Sequence, residues 1–141
     1  MPDKDVVLAK VAIIQRCLRR IKETTNLDPQ RIENLDKQDI FILNLQRAVQ
    51  ATIDLATHII ASEGLGLSDS IKDNFTLLEK AQIISKEITH NMESMTGFRN
   101  IAIHDYQAID IKILKSILTK NLKDLEEFYT AVLLYFKIAH Q

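Results

Sequence analysis

Apolar side chains recur along this sequence at helical spacings of three and four. Val7, Val11, Ile14, Leu18 and Ile21 mark one face of a helix over about residues 4–23, closed by Asn26-Leu27-Asp28-Pro29. Phe41, Leu45, Ala48, Val49, Thr52, Ala56, Ile59 and Ile60 predict a second helix over about 38–62, ended by Gly64 and Gly66. Ser70-x-x-Asp73 is a helix-start signal ahead of Ile71, Phe75 and Leu78. Ile88, Met92, Met95 and Ala102 trace a fourth helix from Ser85 or Lys86. Ile113, Ile117, Leu118, Leu125, Phe128, Tyr129, Val132, Leu133 and Phe136 carry a fifth to the C-terminus. Three glycines and two prolines in 141 residues leave too few turn residues for a strand-rich fold. The expectation is an all-α, up-and-down bundle of about five helices, with residues 1–141 as a single domain.

Composition narrows the class without naming a function. The chain is 46% apolar and 26% charged, enough for one core, and no apolar run is long enough to span a membrane. The acidic start Met1-Pro2-Asp3-Lys4-Asp5 does not look like a signal peptide, so a cytoplasmic domain without membrane association is expected. The single cysteine, Cys17, forms no internal disulfide, and with four histidines a Cys/His zinc site is not expected. A formal net charge of −1 disfavours a nucleic-acid binder that relies on bulk positive charge, though not one with a local basic cleft.

The informative residues are those that break helical logic. Arg99 shares a stripe with Ile88, Met92, Met95 and Ala102, where a guanidinium is costly unless it is paired or meets an anion. Asn100 follows it, and His104-Asp105-Tyr106 comes soon after. Tyr106 returns almost to the azimuth of Arg99, whereas His104 lies about 140° away, so fraying near His104 would let the three converge. The plain alternative is a paired arginine, a surface histidine and a core tyrosine.

In the second helix Arg47, Gln50, Asp54 and His58 form a polar stripe. It is either a solvated face or a place from which Asp54 reaches across to orient Arg99. Arg16, Arg19, Arg20 and Lys22 make a basic end to the first helix. Its plain reading is helix-dipole compensation, and its functional reading is RNA backbone contact. His90 and His140 read as surface, Met92 and Met95 as core, and Cys17 as a buried small hydrophobe.

Arg99-Asn100-Ile101-Ala102-Ile103-His104-Asp105-Tyr106 resembles the Arg-x4-His-x-Tyr motif of HEPN domains, in the HepT-like toxin branch. Leu45-Gln46-Arg47-Ala48 and Ala51-Thr52-Ile53-Asp54-Leu55-Ala56 are similar to the second helix of that family, so the likeness covers nearly the whole chain. The resemblance implies a helical homodimer whose two motif copies face a shared cleft. It also implies a metal-independent RNA endonuclease without cofactor, acting as the toxin of a two-gene, type VII-like module. The implied antitoxin is an MNT-type nucleotidyltransferase that silences the toxin by adenylylating Tyr106.

The residue types suit that chemistry. Arg99 would hold the scissile phosphate by a bidentate contact, His104 would act as general base or acid, and Asn100 would bind phosphate or orient the histidine. A second copy would bring another His104 for the opposite proton-transfer role. Two other classes compete with this reading: a non-catalytic nucleotide- or protein-binding module, and a structural dimer in which Arg99 simply pairs with Asp54. Aromatic content of 6% and the absence of tryptophan argue against a general single-strand binder and for weak RNA affinity or a structured target.

Overall fold

The computed structural model describes residues 1–105 and 109–139, so Tyr106 and His140 lie outside the described residues. The first helix, α1 (Lys4–Thr25), starts where the Asp3 side chain accepts from the amides of Asp5 and Val6, and ends at Asn26 in the left-handed region. It buries Val7, Val11, Ile14, Leu18 and Ile21, the residues picked out by spacing, together with Cys17. A 3₁₀ turn, Pro29–Glu33, follows, capped by Asp28 and burying Ile32 completely. The periodicity gave no sign of it, because one apolar residue has no period.

The second helix, α2 (Leu35–Glu63), begins three residues before its expected start, since the Asn34 side chain caps the amide of Lys37. It ends at Gly64, whose φ of 62° suits a residue without a side chain. Its apolar positions are buried on several sides because it contacts α1 as well as three later helices: α3 (Ile71–Lys80), α4 (Lys86–His104) and α6 (Leu122–Tyr135). Ser70 caps α3 by accepting from the Asp73 amide, and Ser85 caps α4 by accepting from the Ile88 amide.

The last helical stretch is not the single α-helix expected. It comprises α5 (Ile111–Ser116), a π turn (Ile117–Asn121) and α6. Leu114, Leu118 and Leu122 are all buried, yet successive spacings of four drift by about 40° each time round an α-helix. The wider π turn takes up that drift and keeps all three on the core side. Ile113, which the spacing placed on the core stripe, is instead 50% exposed.

Among the described residues, five helical rods pack as neighbours in chain order around a core centred on Phe41, Phe75 and Phe128. The last two rings meet edge to face at 5.7 Å. Among the described residues, no helix is long and apolar enough to cross a membrane.

Candidate functional site

Arg99 points from α4 towards α2 and is half-buried, with Met92, Met95 and Ala102 of its stripe fully buried. Its Nη2 donates to Gln50 Oε1 at 2.8 Å, and its Nη1 donates to Asn100 Oδ1 at 3.1 Å. Its Nε is buried without a partner among the described residues. Both acceptors are carboxamide oxygens, and no carboxylate among the described residues lies within 4.0 Å of the guanidinium. Arg99 is therefore hydrogen-bonded but not neutralised.

The pairing of Asp54 with Arg99, one of the two readings of the α2 polar stripe, does not form. Asp54 sits one turn beyond Gln50 on α2. Its Oδ1 accepts from Gln50 Nε2 at 2.9 Å, while its Oδ2 lies 3.5 Å from Lys10 Nζ on α1. The offset between α2 and α4 brings Gln50, rather than Asp54, opposite Arg99. Asp54 still acts on the arginine, though at one remove. A carboxylate can face only the NH₂ end of the amide, so Asp54 turns the Gln50 carbonyl oxygen towards the guanidinium. Gln50 is thus a positioning residue. The sequence placed it in the polar stripe but gave no reason to single it out.

A shallow depression of about 270 Å³ opens over Arg99, lined by Leu43, Gln46, Arg47, Gln50, Arg99 and Ile103. Arg47 stands exposed on its wall. Leu43 and Ile103 are 46% and 49% exposed, so the rim of a charged site is apolar.

His104 is not in this depression. The helix does not fray before it, since the Asp105 amide still donates to Ile101 O at 2.8 Å, and His104 ends α4 as an exposed residue. It therefore keeps its separation of about 140° from Arg99 round the helix. One chain does not bring the two together. Tyr106, the third residue of the motif, lies outside the described residues. His58, the last member of the α2 polar stripe, is taken up by the N-terminus, its Nε2 accepting from the Asp3 amide at 3.1 Å.

The opposite face of α4 borders a roomier cavity of about 530 Å³. Phe98, Ile113 and Ile117 line it, along with Asn121 and the buried Asp124. Asn121 Nδ2 donates to Asp124 Oδ2 at 3.1 Å. Among the described residues the cavity has no arginine or lysine, and it presents two carboxylates, Asp110 and Asp124, beside one histidine, His90, the wrong balance of charge for a phosphate. The chemistry of an anionic substrate belongs on the Arg99 side.

Comparison with known proteins bears on the family of the chain. The family described as "Ribonuclease HepT-like" matches residues 14–132. The chain is 38% identical over 128 residues to an mRNA nuclease HepT of Shewanella oneidensis, covering 91% of this chain and 96% of that protein. It is 28% identical over 106 residues to a tRNA nuclease HepT of Aphanizomenon flos-aquae, covering 74% and 72% of the two chains. Among solved structures, a tri-AMPylated HEPN toxin of Shewanella oneidensis in complex with its MNT antitoxin superposes with a TM-score of 0.85 at 37% identity. That superposition covers 91% of this chain and 96% of that one. With an unneutralised arginine at the motif position and this likeness over nearly its full length, the chain belongs to the HepT-like ribonuclease family.

Proposed function

We propose that this chain is the RNA-cleaving toxin of a two-component module whose antitoxin is an MNT-type nucleotidyltransferase, and that it works as a homodimer. The observation that carries the catalytic part is the state of Arg99. Its guanidinium is fixed by two neutral amides at the base of an open depression, so its full charge is available to an incoming phosphodiester. The two relatives are named for mRNA and for tRNA, and the chemistry common to both substrates is RNA phosphodiester cleavage.

In the proposed reaction the 2′-hydroxyl loses its proton to a base and attacks the adjacent phosphorus. The 5′-oxygen leaves as it takes a proton from an acid, giving a 2′,3′-cyclic phosphate and a 5′-hydroxyl. Arg99 holds the non-bridging oxygens and stabilises the charge that builds on them. Asn100 uses its oxygen on Arg99, which leaves its NH₂ donors for the same phosphate. His104 supplies proton transfer.

Because His104 stands on a different azimuth from Arg99, it serves a single cleft shared with a second copy, into which both Arg99 depressions open and both His104 side chains reach. Two copies supply base and acid together, and the half-exposed Leu43 and Ile103 become contact surface. Arg47 flanks the bound strand, and Asp54 acts through Gln50. Adenylylation of Tyr106, two residues past His104 in the motif, would add a bulky anion and exclude substrate by charge and bulk.

The test is cleavage of end-labelled cellular RNA in EDTA by protein whose intact mass shows no modification. We expect His104→Ala to abolish cleavage while circular dichroism and solution mass stay unchanged. Mixing the wild type with His104→Ala under conditions of subunit exchange separates the dimer mechanism from a monomeric one. If both histidines serve one site, activity at equal amounts falls to about one quarter; independent chains would give about one half. Cleavage by His104→Ala would remove it from the mechanism. Failure of the unmodified wild type to cut a broad RNA panel would leave the binding-module reading in its place.

A further inference from the structure

The Arg99 depression does not end at α2. On the far side of that helix a second groove of about 300 Å³ runs between α2 and α1, lined by Lys10, Arg16, Cys17, Asn44, Arg47 and Asp54 among others. Arg47 and Gln50 line both hollows, so the two are separated by a single ridge of α2.

Three of the four cations lining the two hollows are arginines, Arg16, Arg47 and Arg99, with Lys10 the fourth. Elsewhere Lys22 meets Glu126 at 3.1 Å, Lys115 meets Glu33 at 3.2 Å, and the N-terminal amine meets Glu63 at 2.7 Å. Arg16 and Arg47 are exposed, and among the described residues neither has a carboxylate within 4.0 Å. The one acid in the groove, Asp54, is already held by Lys10 and Gln50. Both guanidiniums also act on the Cys17 thiol in the groove wall, which places them over the same hollow. From α4 across α2 to α1, Arg99, Arg47 and Arg16 therefore form a track of three arginines without acidic partners.

We propose that the α1–α2 groove carries the RNA strand leading away from the scissile phosphate, with Arg47 and Arg16 on successive parts of its backbone. This rests on the RNA-cleavage reading above and extends it. Arginine is suited to the task, because its planar fork grips a phosphate without reading the base. The track also lets a chain of net charge −1 hold a polyanion, since local unpaired cations rather than total charge set the contact.

Arg19 is the built-in control. It lies on α1 like Arg16 but faces a different hollow, beside Lys22, Glu126 and Tyr129. Arg16→Glu and Arg19→Glu change total charge equally, so they separate a located contact from bulk electrostatics. Binding is measured by fluorescence anisotropy of a short single-stranded 2′-O-methyl RNA, which lacks the 2′ proton needed for cleavage, across a series of salt concentrations. Cleavage kinetics are measured on unmodified RNA.

We expect Arg16→Glu to weaken binding about ten-fold or more, the scale of a lost charge-assisted hydrogen bond. The slope of log affinity against log salt should fall by about 0.7, the share of one single-strand phosphate contact. KM should rise with kcat kept, and Arg19→Glu should match the wild type. If the two variants behave alike, or Arg16→Glu binds as the wild type does, the groove is not the track even though cleavage continues. If the wild type neither binds nor cuts RNA, the cleavage reading itself has failed and the track falls with it.

Discussion

Gln50 offers the sharpest test of how Arg99 is kept ready. Gln50→Leu is close in volume and removes both hydrogen bonds of the amide, the one from Arg99 at 2.8 Å and the one to Asp54 at 2.9 Å. Each involves a charged partner, and such bonds contribute about 1.5–3 kcal/mol when desolvated. Arg99 and Asp54 are only half-buried, so water replaces much of what is lost. A net cost of about 1 kcal/mol is expected, or roughly 3–4 °C in Tm for a domain of this size. Freed from Gln50, the guanidinium would sample several rotamers, and a misplacement of about 1 Å can cost on the order of a hundredfold in rate. We therefore expect kcat/KM to fall ten- to a hundredfold, about 1.4–2.7 kcal/mol of transition-state stabilisation.

Gln50→Glu separates position from charge. The carboxylate would attract Arg99 and repel Asp54 at nearly equal distances, so the two terms largely cancel and stability should stay within about 1 kcal/mol of the wild type. Arg99 would remain oriented but would carry an internal anion where the phosphate must sit. Activity should then fall at least as far as in Gln50→Leu, with a smaller change in Tm. The assay pairs thermal unfolding by circular dichroism with single-turnover RNA cleavage. Wild-type cleavage by Gln50→Glu would refute the argument that an unneutralised Arg99 is what binds the scissile phosphate.

Other expectations follow from packing and burial. Phe128 is fully buried and meets the Phe75 ring edge to face, so Phe128→Ala should cost about 3–5 kcal/mol and lower Tm by about 10 °C or more. A loss under about 1 kcal/mol in denaturant titration would contradict the packing. Burial pushes the Cys17 thiol above its ordinary pKa despite the opposing pull of Arg16 and Arg47. It stays protonated at neutral pH and should react with iodoacetamide far more slowly in the folded protein than in denaturant at the same pH; equal rates would refute this.

The helices and the anomaly of Arg99 were legible in the sequence for one reason: both are statements about periodicity. A run such as Val7 to Ile21 declares a face, and a charged residue on an apolar stripe declares an exception. What a helix meets across the bundle was not legible. Gln50 and Asp54 occupy the same stripe one turn apart, and the sequence alone does not set the axial offset between α2 and α4. The choice of Asp54 as partner followed from charge, the rule that usually governs buried arginines. Here it failed by a single turn, and the neutral residue took the contact. The 3₁₀ turn at Ile32 and the π turn at Ile117–Asn121 escaped because each is shorter than the window over which a period can be seen.

The neutral contact is also what makes the site chemically coherent. An arginine paired with a carboxylate would be stable and inert, because an incoming phosphate would have to displace an anion already in place. An arginine left in water would be charged but would lose side-chain entropy on binding. Two amide oxygens orient the guanidinium without cancelling its charge, and Asp54 orients the amide from a position where Lys10 rather than Arg99 answers its own charge. The carboxylate thus sets geometry at one remove and leaves the potential over the depression positive. The same separation explains why total charge is a poor guide to this protein. Glu126, Glu33 and Glu63 answer two lysines and the N-terminal amine, while among the described residues Arg16, Arg47 and Arg99, which face the two hollows, have no carboxylate within 4.0 Å.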